Sequence, residues 1–296
     1  MGRSRHGYSQ SKTRDVVSIV FGFFLSVFVA LFALLVVLRF FVVSSRGVLN
    51  AVDDSFYNQV LEYVEQQANY YTLPTGIDPS VLNGVFEVEE VRRDVDASIE
   101  AAFAGQEYAP NTTAARERLG QRLNAAFAAD GVVAAGGATQ ADLDKISKSY
   151  TDEIMEIYNT AVKMPGLDAV HTINGYMSKY GLIALGVCAL FCCVLVILIV
   201  RLHHHVHRSI RYITYSVGGA ALMLLVIPLV MYASGFYKGL SVEPQYFYTL
   251  CVSLVSSALR TCMYAAGVLF AITILLVIVG SKLRGKAITH KHTRRH

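Results

Sequence analysis

The sequence predicts an all-α membrane protein: a four-transmembrane-helix bundle with a large extracytoplasmic helical-bundle domain inserted between the first and second spans. Three observations predict it. Hydrophobic residues make up 54% of the 296 residues, and the mean hydropathy of +0.43 lies above that of an ordinary soluble domain. The apolar excess is concentrated in uncharged blocks, Val16–Leu38, Tyr180–Val200, Tyr212–Tyr237 and Thr261–Ser281. A hydrocarbon core of about 30 Å takes about 20 helical residues, and each block supplies them. Finally, twenty of the 22 carboxylates fall within residues 44–179, while the N-terminal tail, the link Arg201–Arg211 and the tail after Ser281 are basic.

Residues 1–15 form a basic tail, with Arg3, Arg5, Lys12 and Arg14 against Asp15. The first span occupies 16–43. Its apolar run exceeds the h-region of a secretory signal, and no small-x-small cleavage site follows, so it reads as a signal anchor. Residues 44–178 are the extracytoplasmic domain. The ladder Val48, Val52, Phe56, Val60 and Val64 predicts that the first helix continues unbroken to about Tyr70. Leu73-Pro74-Thr75-Gly76 breaks it, and Asp78-Pro79 supplies an N-cap with Pro at the first helical position. Residues 79–105 read as one or two helices with Val88, Val91, Val95, Ile99 and Phe103 on one face. Partial alternation over Val85–Val91 leaves a short strand as the alternative.

Asn111 can cap a helix around Ala114–Ala129, and Gly131–Gly137 is a flexible stretch. Thr139-Gln140-Ala141-Asp142 resembles a capping box with Asp in place of Glu. It opens a helix with Leu143, Ile146, Tyr150, Ile154, Ile157 and Ala161 on its apolar face, ended by Pro165-Gly166. About 135 residues suffice for an independent core. None is a cysteine, so the domain is no disulfide scaffold.

The second span is 179–202, followed by a basic, His-rich cytoplasmic loop at 203–211. The third span, 212–232, contains Pro228, a kink site, and a short outer loop covers 233–245. The fourth span with an outer extension is 246–281. Read as one helix, Tyr246–Gly280 would reach about 52 Å, so Tyr246–Leu259 is expected to protrude and pack against the outer bundle. Residues 282–296 are a second basic tail. The Lys/Arg bias puts both termini in the cytoplasm, in the plasma membrane. The bases are accounted for as membrane flanks, so the implied partner is the lipid bilayer and not nucleic acid.

No Asp or Glu lies within the four spans, where proton relays and cation sites need carboxylates. There is no P-loop, HExxH, GxSxG or CxxC motif, which points away from an enzyme, a cofactor or an identifiable small-molecule substrate. Within His203-His204-His205-Val206-His207, a helix would place His203 and His207, or His204 and His207, on one face at metal-ligand spacing. No carboxylate or thiol accompanies them, so imidazoles near anionic headgroups are the favoured reading. Cys188 and Cys192, one turn apart, read as apolar packing. Gly218-Gly219-Ala220-Ala221 and Ala265-Ala266-Gly267 read as close helix contacts. Arg39 and Arg260 lie about 37 and 33 Å of helix from the inner flanks, which places both at the outer membrane interface. Tyr57, Tyr63, Tyr70 and Tyr71 form either a sugar- or peptide-binding face or ordinary helix packing.

Leu73-Pro74, Gly76-Ile77, Val85-Phe86, Val91, Asp94-Val95, Ile99, Gly105 and the helix around Leu119–Leu123 together resemble four-span surface proteins of Gram-positive bacteria. The resemblance covers the outer domain and the span arrangement, and it implies no activity. The expected role is that of a non-enzymatic cell-envelope protein whose outer domain binds a protein or wall partner, or a second copy of itself. By topology the chain is also similar to FtsX-like permease subunits of ABC-type systems. A sensor acting through a separate cytoplasmic partner is the remaining alternative.

Overall fold

The structure, a computed structural model, describes residues 4–72, 77–129, 139–163, 167–202, 206–239 and 241–293. Among the described residues every regular element is helical. The α-helices are α1 (Ser4–Val37), α2 (Ser45–Leu49), α3 (Asp54–Thr72), α4 (Val88–Ala104), α5 (Thr113–Ala129), α6 (Gln140–Val162), α7 (Leu167–Leu202), α8 (Val206–Ser234) and α9 (Gln245–Thr293). They divide between two units. One comprises Met1–Val43, Tyr176–Gly239 and Val255–His296; the other comprises Ser44–Gly175 and Leu240–Leu254.

Four helical segments are long and apolar enough to cross a membrane: Asp15–Val42, Thr172–Leu202, Arg208–Ser234 and Gln245–Lys282. Ile19, Leu190, Ile227 and Leu275 among many others face outward, a surface that water would not tolerate at this density. This is compatible with a multi-pass membrane protein.

In the first unit, small residues set the approach of α1 and α8. A Cβ on Gly219 would stand 2.8 Å from Ser26 Oγ, and one on Gly22 would stand 3.2 Å from Ser216 Oγ. A side chain at 219 would have to displace the Ser26 hydroxyl, so glycine here permits the close approach. Gly218 faces Thr273 of α9 at 3.4 Å. The expected patch at 218–221 is thus a helix contact, whereas Gly267 has open space before it. Against α7, Phe28 stacks on Phe191 at 5.1 Å, and the Cys188 thiol donates to the Phe28 carbonyl at 3.2 Å.

The unbroken first helix is corrected. After α1 a π-helical turn covers Leu38–Val42, and Val43 leaves the helix at φ −92°. Ser44 is extended and accepts the Gly47 N–H on its Oγ at 3.0 Å, opening α2. A second break follows, where Asp53 Oδ1 accepts the Phe56 N–H at 3.0 Å and starts α3. Ser44 and Asp53 each offer an acceptor that competes with helix propagation. The apolar ladder was sound in burial, since Val48, Phe56, Val60 and Val64 are all in the core, but periodicity does not register caps.

The second unit's core joins Val60, Val64 and Ala68 of α3, Val91, Val95 and Ile99 of α4, Leu119 and Leu123 of α5, and Ile154, Met155 and Tyr158 of α6. Tyr246 and Leu250 at the start of α9 are buried in the same cluster, so this extension packs with the bundle as expected. Asp78 caps a 3-10 turn at Pro79–Leu82 through its bond to the Ser80 N–H. Val85–Val91 forms no strand. Arg118 Nε donates to the Val85 carbonyl at 2.9 Å, Arg122 reaches the Asn83 carbonyl, and a Glu87–Glu90 capping box opens α4. Gly105 ends α4 in the left-handed region, at φ 70°.

Asn111 Oδ1 accepts the Thr113 N–H, and the Thr139–Asp142 capping box is reciprocal. On α6 Leu143, Tyr150, Ile154 and Ala161 of the expected face are buried, and the buried stripe is broader than the sequence suggests. Ile146 is 51% exposed, while Ser147, Thr151, Met155 and Tyr158 are buried, because α6 packs on α3, α4 and α5. The breaks expected at Leu73–Gly76, Gly131–Gly137 and Pro165–Gly166 lie outside the described residues.

Candidate functional site

On α3 the face opposite Val60, Val64 and Ala68 carries Gln59, Glu62, Tyr63 and Gln66, at helical steps of three and four. Facing it, Glu243-Pro244-Gln245-Tyr246 leads into α9. Three contacts hold the walls together. The Tyr246 ring meets Tyr63 edge-on at 5.1 Å and Phe56 at 6.1 Å, and the Thr249 hydroxyl donates to Gln59 Oε1 at 2.7 Å. The result is an open cleft of about 570 Å³. A second groove of about 440 Å³ continues along α3 past Glu62 and Gln66 to Glu65, Asn69 and Tyr70.

No Lys or Arg lines either cavity, and among the described residues Glu62, Glu65 and Glu243 form no ion pair. Burial, reinforced by the neighbouring Glu62 charge, raises the Glu65 carboxyl above its ordinary range. Asn69 Oδ1 is buried without a hydrogen-bond partner. Carboxylates and amides beside tyrosine rings are recognition groups. They can accept from N–H and O–H donors and attract cations, and the rings add stacking faces.

The four tyrosines singled out from the sequence do not form one face. Tyr63 lines the cleft and Tyr70 the groove. Tyr71 packs against Tyr150 at 5.8 Å. Tyr57 is buried, donates to Asp96 Oδ1 at 2.7 Å, and lies under Arg92, which pairs with Asp54 at 2.6 Å.

A second constellation is closed on itself. Asp94 is 1% exposed and accepts from the Tyr158 hydroxyl at 2.8 Å, the Tyr108 hydroxyl at 3.0 Å and Arg93 Nε at 3.2 Å. Burial first, then the Asp94 charge, raises both phenols, Tyr108 to about 12. Every partner is internal, so this is a tie between α4, the 106–112 linker and α6.

The two arginines equated by depth differ in environment. Arg260 is exposed and satisfied by its own helix, with Nε on the Ser256 carbonyl at 3.4 Å and Nη2 on the Ser256 hydroxyl at 3.5 Å. Arg39 lies in the π turn, half-buried, with its Nε inaccessible and without a partner. His203, His204 and the His207 side chain lie outside the described residues. Among the described residues no group of three His, Cys, Asp or Glu side chains is placed to hold a metal ion.

The cleft was missed in the sequence. Its signal was present in Glu62, Glu65, Gln66, Gln67 and Asn69, a polar helical face with no basic residue to compensate it. No family model, curated protein or solved structure matches this chain. Its site is therefore read from its own chemistry: among the described residues, helical elements throughout, four membrane-length helices and a cleft lined by carboxylates, amides and tyrosines.

Proposed function

We infer that the chain is a non-enzymatic, multi-pass cell-envelope protein whose inserted helical unit faces outward and binds a protein or wall partner through the α3 cleft. One observation carries this reading: a surface cleft lined by unpaired carboxylates, amides and tyrosines, on a unit whose core is otherwise closed. Leaving Glu62 and Glu65 on α3, and Glu243 on the facing wall, without cations costs stability through like-charge repulsion, and a ligand bearing N–H donors or positive charge relieves it. The acidic balance of residues 44–179 against basic flanks elsewhere supports the outward placement.

The test uses Gln66→Cys and Glu153→Cys in full-length chains whose native cysteines have been replaced, expressed in intact cells. A membrane-impermeant thiol reagent carrying a photo-crosslinker should label both positions and leave Thr293→Cys unlabelled. Gln66→Cys alone should give a discrete adduct, and Glu243→Lys should abolish it. Protection of both positions overturns the outward placement, and identical adducts from both overturn the cleft as the binding site.

A further inference from the structure

Near the end of the first candidate span, Arg39 has its Nε buried without a hydrogen-bond partner. Leu38–Val42 is π-helical, closed by the Val43 N–H on the Leu38 carbonyl at 2.8 Å. A π turn inserts one residue into the helical path, and such turns recur where a side chain must be re-aimed. Here the Arg39 stem runs across Gly181 of α7, with its Cδ 3.5 Å from where a Cβ would stand. The guanidinium carbon lies 5.6 Å from the Phe40 ring centroid. The Nε has neither solvent nor acceptor, and among the described residues no carboxylate pairs with the group. A guanidinium so placed calls for an anion supplied from outside the chain.

The surroundings within the same unit identify the anion. Phe40 and Phe41 are both more than half exposed, the composition of a surface meeting acyl chains. On α7, Tyr176 and Tyr180 stack at 6.1 Å and are 63% and 61% exposed, the amphipathic rings of a headgroup belt. Lys179 lies exposed between them and adds a second positive charge. Apolar rings, tyrosine hydroxyls and two cations on adjoining stretches match a lipid phosphodiester, with its phosphate on the arginine and its chains along the phenylalanines. A zwitterionic lipid brings its own cation to the phosphate. A lipid with net negative charge neutralises Arg39.

We propose that Arg39, re-aimed by the π turn and seated over Gly181, forms a binding site for the phosphate of an anionic lipid. This rests on the membrane placement of α1 and is independent of the α3 cleft. The full-length chain is reconstituted into phosphatidylcholine nanodiscs with and without phosphatidylglycerol, and retained lipid and melting temperature are measured. Wild type should retain phosphatidylglycerol at least about tenfold more tightly than phosphatidylcholine, the worth of one charge-assisted hydrogen-bond pair, and melt higher in its presence. Arg39→Gln should erase both effects, Arg39→Lys should keep part of the preference with an intact fold, and Arg260→Gln should keep all of it. Inorganic phosphate added to phosphatidylcholine nanodiscs should give no shift. Undiminished preference in Arg39→Gln and Arg39→Lys overturns the site, and a full shift with inorganic phosphate overturns the lipid as its source.

Discussion

Asp94 shows what a single buried charge demands of its neighbours. Its carboxylate is acceptable in the core because two phenols and a guanidinium donate to it, and removing one donor exposes the desolvation cost. Tyr158→Phe should therefore lower stability by about 1.5–3 kcal/mol, the range for a hydrogen bond to a charged group, in a denaturant titration. The pH dependence has a definite sign. Tyr108 and Tyr150 are each raised to about 12 in the folded chain by burial, aided by Asp94 and Tyr71 respectively, whereas unfolded phenols ionise at about 10. Their contribution is fully present below about pH 10 and is lost as pH rises toward about 12. Absorbance titration should show these phenols ionising together with unfolding; smooth ionisation of all tyrosines in a chain that stays folded would contradict it. None of this was legible in the sequence, because Asp94 and Tyr158 stand 64 positions apart and no local pattern links them.

At the scale of elements, capping chemistry and apolar periodicity carried unequal information. The Asp78, Asn111 and Thr139–Asp142 signals each lie at a helix or turn start, because a cap is a local bond between residues two or three apart. Periodicity identified the core faces of α3 and α4 and most of that of α6, misplacing only Ile146, but joined α1 to α3 across two caps. A helix packed on one neighbour buries a narrow stripe, whereas α6 packs on α3, α4 and α5 and buries hydroxyls as well. The correction has a direct check in thermal or denaturant melts. Ile146→Ala should change stability by no more than about 0.5 kcal/mol, whereas Met155→Ala, at a fully buried position, should cost about 2–5 kcal/mol. Comparable losses at both positions would restore the face read from the sequence.

At the scale of the whole molecule, the four membrane-length helices were legible because a bilayer imposes a length that few soluble helices reach. The cleft was not, because its walls come from α3 and from residues near 245 that only the fold brings together. The same non-contiguity governs how the helical unit can be dissected. A fragment covering residues 44–175 lacks Tyr246 and Leu250, so its melt should be broadened and lowered, and joining residues 240–254 through a flexible linker should sharpen and raise it. Equal melts for the two fragments would show that these residues are dispensable. The start of α9 also sets a clock on biosynthesis. The core opened at residue 44 cannot close until the ribosome has passed residue 254, roughly 80 residues after residue 175. At about 5–20 residues per second that is a wait of about 4–16 s, during which a nascent bundle presents an unfilled apolar slot. A chaperone or protease acting in that interval meets the bundle with this slot open.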